Sequence, residues 1–281
     1  MVPIRAAPNA ADEVTLHVRC YPGRRVPRPT TRGWFAAHRD AVLAVSEALE
    51  TLADEIEART TLETVHWRVE PRRQIDLAAA LEAARADDGF DASDPVAAMT
   101  DAAYGELEAR GELTGSCCHL LLPWRPFDRR LGYGTSPASY RRLWGESGDA
   151  LTVANVGATE TWDGRAVTTN IAVHEVLHTL LSPAADQAVV GVGCDHNLGA
   201  VRELEAGVRE VSPMATAYAG AGTGTSDTRF SGTGCGHHAD FYRHDGLEGV
   251  EHWVHTTRLS EGVLEGVSRY VAETFGAVYE G

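Results

Sequence analysis

The chain contains no lysine. All 25 of its basic residues are arginine, set against 40 aspartates and glutamates, and the formal net charge over 281 residues is -15. Such a deficit of positive charge excludes the basic face that a phosphate backbone requires, and the arginines form only short runs such as Arg24-Arg25 and Arg129-Arg130. Nucleic acid is therefore not an expected partner. Long apolar runs are missing as well: nothing approaches the ~18 apolar residues of a membrane span, and the opening MVPIRAAPNAADEVTL holds no apolar segment of signal-peptide length. The expectation is a soluble, cytoplasmic protein that does not engage a membrane, with export by an unrecognised route left open. Cysteine is scarce. Cys20, Cys117, Cys118, Cys194 and Cys235 are odd in number and show no CxxC spacing, which speaks against a disulfide framework and against a cysteine zinc knuckle. No internal repeat or low-complexity linker divides the chain.

What is present is a globular composition, 43% apolar and 23% charged. Acid excess with lysine absent resembles the composition of proteins from extreme halophiles, where molar salt shortens the Debye length and screens self-repulsion. A coding bias toward arginine explains the missing lysine but not the excess acid.

Glu13 to Pro22 alternates and is rich in β-branched residues, as a strand does. Gly33 to Ala58 places Phe35, Val42, Val45, Leu49, Leu52 and Ile56 on one helical stripe, so a long helix should lie against a sheet. Glu63 to Pro71 alternates again. Residues 75–111 read as two helical pieces broken near DDGFDASDP. Ser116 to Trp124 and Asp149 to Ala158 are continuous apolar runs, the mark of strands buried on both faces, and the Gly-rich stretch from Arg130 to Pro137 suits a short edge strand. Residues 182–250, rich in Gly, Thr, Asp and His, read as loops, before a last helix from Leu259 to Gly276. The plan is one domain of two halves, 1–181 above and 182–281 below.

The densest chemistry lies in TTNIAVHEVLHTLLSP, Thr168 to Pro183. Thr168, Thr169 or Asn170 can cap this helix and Ser182-Pro183 can stop it. His174 and His178, four residues apart, project from one face and can converge on one ion. Glu175 sits about 100° around the helix, able to reach a water on that ion without ligating it. Two imidazoles on a rigid element with an adjacent carboxylate as general base is the H-E-x-x-H arrangement of zinc hydrolases, and Ala172, Val176, Leu177, Thr179 and Leu180 are uncharged, as a buried metal helix demands. The bland alternative is an amphipathic helix that happens to carry histidines.

Catalytic zinc takes a third protein ligand and keeps one open position. Downstream, GVGCDHNLG places His196 18 residues after His178, and EVSPMATAY places Met214 another 18 residues on. Over Arg130 to Tyr218 the sequence resembles the metzincin clan of zinc metallopeptidases, its pappalysin-like branch in particular. The resemblance implies an α+β, zincin-like fold: a twisted mixed sheet with a backing helix and an active-site helix above, and an irregular lower half with a C-terminal helix. It also implies one zinc held by His174, His178 and His196, Glu175 as the catalytic base, and a methionine turn at Met214 beneath the metal. A peptide or protein substrate would lie along an edge strand at Gly132, Tyr133, Gly134 and Thr135. The pattern departs from the clan in one place. Leu181 and Ala184 stand where a glycine and a third histidine are usual, so the chain must return to His196 through a loop.

Other ligands stay open at this point. Glu203 or Glu205 would make a glutamate zincin, although no N-E-x-x-S-D signature surrounds them. Asp195 could ligate in place of His196 or accept a hydrogen bond from a ligand imidazole. His237, His238 and His244 form a second histidine group that could hold a structural metal or cover the cleft. Tyr218 could donate to an oxyanion or pack the lower half, and Met214 could simply fill core. Cys194 could cap a metal as a thiolate, rest as a buried thiol, or pair with Cys235. The functional expectation is a zinc metalloendopeptidase; the alternative is a non-catalytic zincin-like domain that uses metal for stability or partner binding.

Overall fold

Five consecutive buried residues in each of two strands, β3 (Cys118–Leu122) and β5 (Ala150–Ala154), need cover on both faces, and the chain supplies it. The computed structural model describes residues 13–23, 34–75, 95–124, 132–219, 228 and 241–281. Strands β1 (Glu13–Pro22), β2 (Thr64–Pro71), β3 and β5 with the two-residue β4 (Gly134–Thr135) form one sheet in the order β2-β1-β3-β5-β4. The first four are parallel and β4 runs antiparallel to β5, with Gly134 opposite Ala154 and Thr135 opposite Val153.

Helix α1 (Ala36–Arg59) covers one face of that sheet, burying Val45, Leu49, Leu52 and Ile56 as their spacing predicts. Each such side chain removed from water contributes on the order of 1.5–3 kcal/mol. The other face is covered by α2 (Pro95–Ala109), whose Met99, Ala103 and Leu107 meet Tyr21, Leu121 and Val153. Alternate residues of β3 thus enter different cores: Cys118, Leu120 and Leu122 join the α1 side, and Leu121 the α2 side. The first of the two helical pieces expected in 75–111 lies outside the described residues.

Short helices α3 (Val156–Trp162), α4 (Arg165–Leu177) and α5 (Pro183–Val190) follow, then α6 (Glu261–Phe275) near the chain end. The run read as a strand to Ala158 therefore ends at Ala154, because Asn155 caps α3 by accepting from Ala158 N. Helix α4 begins earlier than its threonines suggest. Its N-cap is Gly164, and Thr168 turns its hydroxyl back to the Gly164 carbonyl and to Thr159. Ser182 caps α5, accepting from Ala185 N with Pro183 in the first turn, so Ser182-Pro183 opens a helix as well as closing the previous one.

The expectation of loops across 182–250 is corrected by a second sheet. Strands β6 (Ala200–Glu205), β7 (Val208–Val211), β8 (Arg243–His244) and β9 (His252–His255) pair in the order β8-β6-β7-β9. Only β6 and β7 form a hairpin; β6–β8 and β7–β9 are parallel. One buried cluster joins both halves, from Val14 and Leu49 through Val173 to Leu198, Met214, Val263 and Val271. The mixed sheets, with helices on both faces of the upper one, make an α+β fold. Among the described residues no helix is long and apolar enough to cross a membrane.

Candidate metal centre

His174 and Glu175 stand on the last turn of α4, and His178 opens a short 3-10 turn, His178–Leu180, that continues it. The backbone stays helical at His178, with φ -53° and ψ -28°, so the four-residue spacing still places both imidazoles on one face. His196 arrives from the 3-10 turn Asp195–Leu198. That turn is pinned by its own bonds, Asn197 N to Cys194 O and Gly199 N to His196 O, and from outside by Tyr242 N, which donates to Asn197 O at 2.6 Å. The Ser260 hydroxyl, at the start of α6, donates to Leu198 O.

The result is three buried imidazoles whose ligand atoms all lie within 4.8 Å of one another. His174 Nδ1 is 2.6 Å from the carbonyl of Pro213, and His178 Nδ1 is 2.6 Å from Asp195 Oδ2. A carbonyl and a carboxylate only accept, so both Nδ1 atoms carry the proton and both Nε2 atoms face inward. These two Nε2 atoms are 3.0 Å apart. Two facing lone pairs repel unless a proton or a cation sits between them, and that donor chemistry fits a metal.

Charge in the cluster is tightly limited. Burial pushes His174 down to about 3, with the His178 charge adding to it, and His196 well below the ordinary histidine value for the same two reasons plus His174. For His178 burial also works downward, yet the Asp195 carboxylate beside it outweighs this and raises the group. Asp195 is held below the usual carboxylate range: burial opposes this, and His178, His196 and Arg141 overcome it. Arg141 Nη2 lies 2.5 Å from Asp195 Oδ2. His174 and His196 are thus held neutral, the state in which an imidazole ligates a divalent ion, whereas Asp195 favours a second proton on His178.

Glu175 is buried beside this cluster, 4% exposed, and burial raises its pKa. Its Oε2 accepts from Ser136 and Thr152, each at 3.0 Å. Gly134 of β4 passes so close that a Cβ there would stand 2.2 Å from Glu175 Oε1. The expected edge-strand residues do lie at the sheet margin: Gly134 and Thr135 form β4, and Gly132 and Tyr133 precede it, their carbonyls bonded by Asn155.

Met214 is fully buried on the 3-10 turn Pro213–Tyr218, and the turn's Pro213 carbonyl is the one that braces His174. Gly199 locks this turn to the His196 turn, since a Cβ at 199 would meet Ala215 N at 2.4 Å. Tyr218 packs its ring against His196, centroids 4.1 Å apart. Asp195 takes the bracing role, and Glu203, Glu205 and His244 do not join the cluster: Glu203 and Glu205 are exposed on β6, with Glu203 paired to Arg209, and His244 Nε2 is bonded at Ala219 O. Cys194 is disulfide-bonded, which corrects the reading of it as a metal-capping thiolate or a free thiol. Cys20, Cys117 and Cys118 are free and buried. Cys235, His237 and His238 lie outside the described residues.

Three residues that sequence reasoning passed over belong to the site, Arg141 on Asp195 and Ser136 and Thr152 on Glu175. Arg141, Ser136 and Thr152 carry no pattern that marks them. Asn170, one helical turn before His174, is fully buried; its amide donates to Thr256 O at 2.7 Å and Val211 O at 3.3 Å, and its carbonyl oxygen accepts from Thr216. Read from the sequence as a possible helix cap, Asn170 instead lies inside α4 and ties that helix to β7, to the turn that carries Met214 and to Thr256. Compared with protein-family models and with curated proteins, the chain matches none.

Proposed function

We propose that the protein is a zinc metallohydrolase of zincin-like fold, and more particularly a metzincin-like endopeptidase. The observation that carries this reading is the convergence of His174, His178 and His196 beside a buried Glu175 that ligates nothing in the cluster. Zinc, when bound by the three imidazoles, supplies Lewis acidity to a peptide carbonyl and to water. Glu175 takes the proton of the attacking water and delivers it to the departing amine. Asp195 and the Pro213 carbonyl hold two of the imidazoles in the required tautomer. An extended peptide would add antiparallel to β4, whose outer edge has no neighbour among the described strands.

Glu175→Ala separates this reading from a metal site that serves stability or partner binding. The variant should keep about one zinc per chain, measured by elemental mass spectrometry, and lose peptide hydrolysis. Hydrolysis retained at the wild-type rate rules the mechanism out, and a wild type that binds zinc yet hydrolyses no peptide favours the non-catalytic reading.

A further inference from the structure

Glu175 is held asymmetrically. Both hydroxyls that reach it, Ser136 Oγ and Thr152 Oγ1, converge on Oε2, each at 3.0 Å, and stand 2.7 Å from one another. Thr152 is fully buried on β5, and its hydroxyl also approaches the Thr135 carbonyl at 3.2 Å. Ser136 follows directly on β4. The second carboxylate oxygen, Oε1, takes no hydrogen bond from the described residues, and it is not among the buried atoms left without a partner. It lies under the bare Cα of Gly134, where a Cβ would be 2.2 Å away.

We infer that Ser136 and Thr152 are positioning residues that clamp Glu175 Oε2 to the edge strand, and that Gly134 keeps Oε1 free as the oxygen that handles the proton. The clamp rests on the reading of Glu175 as a general base. A buried carboxylate with no anchor can rotate about its last two bonds, and a misplacement of about 1 Å costs a catalytic group on the order of 100-fold. The pair of neutral hydroxyls, hydrogen-bonded to each other as well as to that oxygen, fixes the orientation without a cation that would quench the base. The missing side chain at 134 serves the same end, because even a methyl group there would drive Oε1 from its place.

Thr152→Val keeps the shape and removes the donor, Thr152→Ser keeps the donor, and Ser136→Ala tests the partly exposed partner without disturbing the core. With zinc content unchanged, Thr152→Val should lower kcat roughly 10- to 100-fold with little effect on KM, and Thr152→Ser should return most of it. Gly134→Ala should lower kcat at least as far. A second readout needs no activity: in metal-stripped protein, Thr152→Val should lower the melting temperature by a few degrees in the wild-type background and by much less in a Glu175→Ala background. Equal melting shifts in both backgrounds overturn the clamp, as does a wild-type kcat in Thr152→Val. Should the wild type hydrolyse no peptide, the endopeptidase reading fails by itself and the melting cycle alone decides whether the clamp stands.

Discussion

The halves of the molecule on either side of Leu181 contribute differently to one site. The first supplies His174, Glu175 and His178 from one helix and the 3-10 turn that continues it, with spacing fixed by that helical backbone. The second supplies His196, Asp195 and the Pro213 carbonyl from two 3-10 turns whose relation depends on tertiary contacts: Gly199 against Ala215, Tyr242 on Asn197 O and Ser260 on Leu198 O. A helix brings its ligands together by local geometry. Turns do so only when the rest of the fold is in place, so the lower half is where the site should be easiest to disable.

The largest test of that difference is His196→Ala. If the lower half only decorates a two-histidine helix, zinc affinity should barely change. If it completes the site, the loss should exceed the 10- to 100-fold that removal of an outer-shell partner costs, and elemental analysis of dialysed protein should find little metal. Gly199→Ala acts one step further away. The added Cβ meets backbone at 2.4 Å, so the two turns must separate, and a loss of about 1–3 kcal/mol should appear in urea unfolding together with weaker metal binding. Unchanged stability would show that the turns are not locked where the structure places them.

Asp195→Asn is subtler. It leaves the volume intact but removes the charge that keeps the His178 Nδ1 proton in place. Zinc affinity should fall about 10- to 100-fold, read by competition with a chelating dye. An affinity equal to wild type would assign the orientation of His178 to the helix alone, and so shift weight back to the upper half.

The same contrast separates what the sequence made readable from what it hid. Strand β1 appears at its full extent from alternation, and β3 and β5 show as apolar runs because both their faces are covered. Helix α1 declares itself through a stripe repeated over 24 residues. In the lower half the strands are two to six residues long, too short for a period to register, and two of their pairings are parallel and joined by long connections. One signal was there: Ala206-Gly207 sits as a two-residue turn between Val201–Glu205 and Val208–Val211, and Gly207 at φ 78° turns the hairpin. At the site, His174, Glu175, His178, His196 and Met214 were legible as residue types at meaningful spacings. Ser136, Thr152 and Arg141 were not, because a hydroxyl or guanidinium that acts across strands leaves no spacing to read.

The smallest effect concerns Asp186, on α5 in the lower half. It is 2% exposed, and its Oδ1 has no hydrogen-bond partner among the described residues. Burial first, then the charge of Asp195, push it up to about 7, whereas an unfolded chain releases that proton near 3.9. A carboxyl whose folded pKa is raised keeps its proton in the native state while the unfolded state has lost it, so between about pH 4 and 7 the contribution of Asp186 to stability falls as pH rises. The slope cannot exceed about 1.4 kcal/mol per pH unit for one proton, and relaxation around the group will lower it. Asp195, whose folded pKa is depressed, acts in the opposite sense: its stabilisation is complete above about pH 4 and disappears only in stronger acid, so it does not mask the trend. The buried histidines His38, His119, His174 and His196, whose folded pKa values are lowered, make stability rise with pH over the same range, so the difference between two proteins is the readout: Asp186→Asn, which cannot ionise, should gain urea-unfolding stability relative to wild type across pH 4–7 and be the more stable near pH 8. Parallel pH profiles in the two proteins would mean that Asp186 finds a partner or water in solution, and that the lower half is less tightly closed around the metal centre than its turns suggest.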